Sequence, residues 1–126
     1  MFTTLIPVAL GGAIGASARY LTNVAVTRAV GVGFPLGTMV VNVIGSFLMG
    51  VLVVVLARKG GNAAAPFLMT GVLGGFTTFS AFSLDTLTLV ERGALGQAAL
   101  YAGLSVALSL AAIVLGLVVA RAVVPL

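Results

Sequence analysis

The sequence predicts an all-α membrane protein with four transmembrane helices, the third broken near its middle. Three observations carry this prediction. The chain is 61% hydrophobic and only 6% charged, with a mean hydropathy of +1.32, whereas a soluble domain has about 25% charged residues. Charges and prolines divide it into four apolar runs, each near the roughly 20 residues that cross the hydrocarbon of a bilayer. The third run is interrupted by Gly71 to Ser83, GVLGGFTTFSAFS, where Gly74-Gly75 precede Thr77-Thr78. In hydrocarbon, backbone that leaves the helix must be satisfied by protein, water or ions. This segment is therefore where an ion or solute is expected to meet the chain.

The first span covers about 4–27 and carries Arg19. No Lys or Arg precedes Arg19, so the basic start of a cleaved signal peptide is missing and the segment reads as a retained helix. The second span, 35–57, is uncharged. The third, 66–90, carries Asp85 near its end. Pro35 and Pro66 suit the first turn of a helix, where a missing N–H costs nothing. The fourth span, 94–120, is uncharged. The connections at 28–34, 58–65 and 91–93 are short, so residues 1–126 read as a single four-helix transmembrane domain.

The isoelectric point near 10.9 does not point to nucleic acid, because Arg19, Arg28, Arg58, Lys59, Arg92 and Arg121 are scattered and form no basic aromatic patch. The absence of cysteine removes a disulfide framework. The absence of histidine removes the usual general base and metal ligand. The chain does not read as an enzyme. With four spans, Arg58, Lys59 and Arg121 fall on one side of the membrane and Arg28 and Arg92 on the other, a weak bias under the positive-inside rule. Either Arg58-Lys59 fix a cytoplasmic loop, or the chain inserts both ways and opposed copies pair as an antiparallel dimer. Four helices leave little room for a pathway within one copy, which also favours a homodimer. Small residues permit close helix approach in lipid. Gly11/Gly15, Gly12/Ala16 and the series Gly37, Gly45, Gly50 suit either contacts between copies or packing within one.

Residues three and four apart share a helix face. Thr38, Asn42 and Ser46 form one polar stripe on the second span, and Tyr101, Ser105 and Ser109 form another on the fourth. Phe79 and Phe82 share a face if the third helix resumes after the threonines. Ser and Thr in membrane helices often bond their own i−4 carbonyl. Asn42 differs, since an amide at mid-span depth needs partners. Hydroxyl and amide hydrogens are donors, and the edge of a phenyl ring is the positive part of its quadrupole. No carboxylate lies in the middle of any span. A narrow path of this kind suits a small anion. Arg19 adds positive potential, snorkels to the interface or braces a neighbouring helix.

GGAIGASARY (Gly11–Tyr20), GTMVVNVIGSFLMG (Gly37–Gly50) and GGFTTFSAFS (Gly74–Ser83) together resemble the signature stretches of the Fluc, or CrcB-type, fluoride channels. The match covers essentially the whole chain. The resemblance implies a passive fluoride channel of the bacterial inner membrane, exporting cytoplasmic fluoride through two pores of a dual-topology antiparallel homodimer. It implies pore residues at Asn42, Phe79, Phe82 and Arg19, and a polar track at Tyr101, Ser105 and Ser109. Thr38 and Ser46 lie on the matching face of the second helix. It also implies a structural sodium ion at the dimer interface, held by the carbonyls of Gly74 and Thr77. Two positions depart from the commonest pattern: Ala81 stands where Thr is frequent, and Asp85 where Glu is frequent.

Two rival functions stand beside this one. A proton-coupled small multidrug-type exporter needs a membrane-embedded carboxylate, and the first span has none. An accessory subunit of a membrane complex would account for the glycines but not for the ordered polar stripes.

Overall fold

The computed structural model describes residues 1–126. Helix α1 is Phe2–Val30 and α2 is Leu36–Lys59. A short 3-10 turn, Asn62–Ala64, leads into α3, a π-helical stretch Pro66–Leu73 that tightens into one α-helical turn, Gly74–Phe76. Thr77 and Thr78 are extended, and the chain resumes as α4, Phe79–Glu91. Helix α5 is Leu95–Val123. Four stretches are long and apolar enough to cross a membrane: Phe2–Val30, Leu36–Lys59, Asn62–Glu91 and Leu95–Val123. The third is the bent one, with α3 and α4 as its halves. Pro66 occupies the first turn of α3 as its sequence position predicts. Pro35 instead sits one residue before α2, at its N-cap.

Only 19 of 126 residues are buried within the chain, and Ile14, Leu110, Leu115 and Val118 are each more than half exposed. In water such a surface would be untenable. In lipid it is the solvent-facing side, because acyl tails are as apolar as leucine. The apolar pattern therefore does not say which faces pair, and the small residues decide instead.

Helix α1 lies along α3, and α2 lies along α5, with α4 laid against α5. The first seam is built from backbone. A side chain at Gly15 would run into the Val72 carbonyl, and one at Gly75 would meet the backbone of Gly12 and Ala16. Gly50 and Gly116 do the same for α2 and α5, against the carbonyls of Ile113 and Phe47. Gly11, Gly15 and Gly50 thus serve packing inside one copy, the second of the two roles open to them, whereas a side chain at Gly12 would meet nothing within 4 Å. Gly60, at φ 71°, ends α2 in the left-handed conformation, which suits a residue without Cβ. Arg58 then donates from Nη1 to the carbonyls of Arg121 (2.9 Å) and Val124 (2.7 Å), fastening the end of α5 to the end of α2.

At the opposite end of the bundle the core is Met39, Leu89, Ala98 and Tyr101, with Phe34 and Phe82 packed against it. This cluster sets the angle of α4 on α5, and so aims the residues that follow the break.

Candidate ion pathway

The break is held by side chains. Leaving the helix strips both backbone partners from Thr78, while the Thr77 N–H still donates to the Leu73 carbonyl at 3.0 Å, and Asn42 on α2 replaces the lost partners of Thr78. Its Oδ1 accepts the Thr78 N–H at 2.8 Å, and its Nδ2 donates to the Thr78 carbonyl at 3.0 Å. This pairing fixes which end of the amide is which, since one partner only donates and the other only accepts. One Nδ2 hydrogen is left over. Thr78 caps α4, its Oγ1 accepting the Ala81 N–H at 3.1 Å, as N-cap threonines do. Thr77 turns its hydroxyl back to the Leu73 carbonyl and packs its methyl on Gly45, where a side chain would collide with it.

These bonds expose two carbonyls. In a continuous helix, Gly74 and Thr77 would accept from the amides of Thr78 and Ala81. Those amides go to Asn42 and to the Thr78 hydroxyl instead. Gly74 and Thr77 therefore lose their α-helical donors within hydrocarbon depth, and Gly74 lies on the exposed surface of the single chain. The neighbouring Gly75 carbonyl is met by Arg19, whose Nε donates to it at 3.1 Å. Arg19 thus braces the break from α1 and is not among the residues lining the groove described next.

Between α2, the break and α5 lies a groove of about 370 Å³. Asn42, Ser46 and Met49 line one wall, Thr77, Thr78, Phe79 and Phe82 the head, and Ser105, Ser109 and Leu110 the other wall. No carboxylate reaches it. The two predicted stripes therefore face each other across one space, with the predicted phenylalanines at its head. Phe79 and Phe82 do lie on one resumed helix, their ring centroids 5.3 Å apart. The groove is open on one side, and Phe79 is 77% exposed on the single chain.

The hydroxyls divide into two classes. Thr22, Thr77, Ser83, Thr86 and Thr88 each donate to the carbonyl four residues back. The stripe residues Thr38, Ser46, Ser105 and Ser109 make no such bond. Ser105 goes furthest: its Oγ is buried and makes no bond to a carbonyl, its nearest polar neighbour being the Tyr101 hydroxyl one turn before it.

Two stripe residues lie beyond the groove. Tyr101 is fully buried, stacked on Phe82 at 5.5 Å, and donates its hydroxyl to Asp85 Oδ2 at 3.0 Å. The shorter Asp85 therefore still reaches a partner. Thr38, one turn before Asn42, lines a smaller cavity of about 170 Å³ together with Asp85 and Asn23.

The family profile described as CrcB-like protein, Camphor Resistance (CrcB), matches residues 6–117. The chain belongs to the CrcB family. Similar proteins carry the name fluoride-specific ion channel FluC. One from Cereibacter sphaeroides is 69% identical over 96% of this chain and 97% of its own length. One from Ruegeria sp. is 63% identical over 98% of each chain. One from Paracoccus denitrificans is 56% identical over 94% of each. As a CrcB member with four apolar helices, the chain is a multi-pass membrane protein.

Sequence reasoning left out three parts of the site. Thr78 as an N-cap was legible, since a threonine immediately before a resumed helix is a start signal. The π-helical turn of α3 and the second cavity carry no local signature.

Proposed function

We propose that this CrcB protein is a passive, fluoride-selective ion channel that lets cytoplasmic fluoride leave across the bacterial inner membrane. The observation that carries this reading is the groove: hydroxyls withheld from their own helices, a spare amide hydrogen on Asn42, and two phenyl rings, with no carboxylate among them. Fluoride is small and strongly hydrated, so it enters a narrow path only where donors replace its water. The names of the relatives agree with that chemistry.

The mechanism follows from the residues. Asn42 is both scaffold and donor: two bonds lock the break, and the remaining Nδ2 hydrogen faces the anion. Ser46, Ser105 and Ser109 hand the ion along the groove. The ring edges of Phe79 and Phe82 offer weak positive contacts, and conduction needs binding strong enough to enter and weak enough to leave. Arg19 contributes through the Gly75 carbonyl and not as a fixed charge in the path, where it would hold the anion too firmly.

The groove's open side and the exposure of Phe79 support a second copy as its missing wall. We assign the functional unit to an antiparallel, dual-topology homodimer with two pathways. The bared carbonyls of Gly74 and Thr77 fit a sodium ion at the interface. When bound, it would supply positive charge to oxygens that have lost their donors.

The test is halide efflux from liposomes carrying the purified protein, read with fluoride-selective and chloride-selective electrodes. Rapid fluoride release with negligible chloride release is the expected outcome. Release of neither by a folded dimer would remove the channel reading. Proton-driven uptake of a cationic dye would install the exporter in its place.

A further inference from the structure

The two ends of the bundle carry different charge. Helices α2 and α5 run in the same direction, and Arg58, Lys59 and Arg121 stand in their last turns. The chain has two acidic side chains, and both lie at the opposite end. Asp85 is bonded to Tyr101, about 30 Å along α5 from Arg121 at 1.5 Å per residue. Glu91 ends α4, just ahead of the start of α5. No acidic side chain of the same chain therefore reaches the three cations.

Arg58 is the fixed member of the three. Its Nη1 makes two bonds, to the carbonyls of Arg121 at 2.9 Å and Val124 at 2.7 Å, and so spends both of its hydrogens. A guanidinium carries five N–H donors in a rigid fork. The edge formed by Nε and Nη2 is left, and two neighbouring N–H groups on one edge match two oxygens of a phosphate. The same two bonds bring Arg58 onto the last turn of α5 beside Arg121, and Lys59 follows it; both neighbours are exposed. Like charges gathered without a carboxylate repel one another, and an anion among them reverses the sign. The apolar spans end here, at the level where lipid headgroups begin, and long basic side chains at helix ends extend into that layer.

We propose that Arg58, Lys59 and Arg121 form a binding site for the phosphate of an anionic phospholipid. The free edge of Arg58 is its fixed half, and Lys59 and Arg121 are its two exposed cations. The opposite end offers no equivalent, because Arg28 and Arg92 share it with Asp85 and Glu91, and Arg92 directs Nη1 at the Gly33 carbonyl at 3.4 Å. A headgroup held here lies over the join that Arg58 makes between α2 and α5, so it stabilises the folded protein by binding it and not the unfolded chain. The site is independent of the fluoride reading: it requires only that the four helices cross a membrane.

The experiment titrates the purified protein in neutral detergent with phosphatidylglycerol. Bound lipid is counted by native mass spectrometry, and the thermal unfolding midpoint is followed in parallel. The variants are Lys59→Gln, Arg121→Gln, the two together, and Arg28→Gln as the cation of the other end. Arg58 is left in place, since its loss would also free the end of α5. Each single change at the site is expected to weaken phosphatidylglycerol binding about fivefold, and the double change about 25-fold. Arg28→Gln is expected to stay within about twofold of the unaltered protein. The rise in midpoint produced by the lipid should shrink in the same order. Full phosphatidylglycerol binding by the double variant overturns the proposal. An equal loss in Arg28→Gln also overturns it, since that marks diffuse attraction to a basic protein. Binding of phosphatidylcholine as tight as that of phosphatidylglycerol would show that the acyl chains alone are recognised. Displacement of the lipid by millimolar inorganic phosphate would make the site one for free phosphate and remove the lipid assignment.

Discussion

The α1–α3 seam and the groove between α2 and α5 both run through the middle of the membrane, and both are rich in small residues. They use them for opposite ends. In the seam, Gly15 and Gly75 bring backbone onto backbone, and no space remains. In the groove, Gly45 makes room for the Thr77 methyl, and the serines opposite keep hydroxyls unbonded around an open volume. The lesson is that a small residue in a membrane helix is informative only through what faces it. Facing a carbonyl it closes a seam, and facing a side chain it leaves room beside a path.

The sharpest way to break this comparison is to add a methyl group to each kind of glycine. Gly15→Ala puts a Cβ into the Val72 carbonyl and the Phe76 amide, neither of which is a flexible side-chain end. Overpacking of this sort costs about 1–3 kcal/mol or more. Gly15→Ala is expected to lower the thermal unfolding midpoint in detergent and the yield of monodisperse protein. Gly103→Ala, where nothing lies within 4 Å, is expected to leave both unchanged. Equal behaviour of the two variants would mean that the seam is not closed by backbone contact.

Asn42 belongs to both regions, because it locks the break and faces the groove. Asn42→Ala removes two hydrogen bonds to Thr78 and leaves a backbone N–H and C=O short of partners, a loss of about 1–3 kcal/mol. Fluoride efflux is expected to fall by more than that loss of stability accounts for, because the spare donor goes too. A variant as destabilised as expected but still conducting normally would make Asn42 a scaffold alone.

Replacing sodium with a large organic cation sharpens the part of the comparison that concerns bared carbonyls. The protein is expected to unfold at lower temperature and to lose fluoride efflux. Recovery on adding sodium back, but not on adding an organic cation, would locate the effect in the ion. An unchanged unfolding midpoint in sodium-free buffer would remove the sodium assignment at Gly74 and Thr77.

Ser105→Ala tests the groove with a change of opposite sign. Its hydroxyl is buried and unpartnered, so removing it is expected to stabilise the fold by about 1 kcal/mol while slowing fluoride efflux. A loss of stability on unfolding would show that the hydroxyl is bonded and structural. The smallest effect is expected from Thr86→Val, whose hydroxyl bonds the Phe82 carbonyl of its own helix at 2.9 Å. Both efflux and stability should change little, and a large loss of efflux there would abolish the division of hydroxyls into two classes.

The amino-acid sequence by itself determined the four apolar spans, the interruption at GGFTT and the two polar stripes. Each is a local matter. Span length follows from composition, the break from glycines and threonines, and the stripes from the direction in which Cβ leaves successive helix turns. Other features were decided only by the tertiary structure: that the stripes on α2 and α5 face each other, that Asn42 takes both backbone groups of Thr78, that Arg19 meets the Gly75 carbonyl, and that Phe34 reaches Tyr101. The physical reason is the solvent. In water, the apolar face of a helix announces where its partner lies. In lipid, the outer face is as apolar as the inner one, so pairing is set by backbone contact at glycines, whose spacing in α1 does not name its partner, and by a handful of long-range hydrogen bonds that leave no periodic trace in the chain.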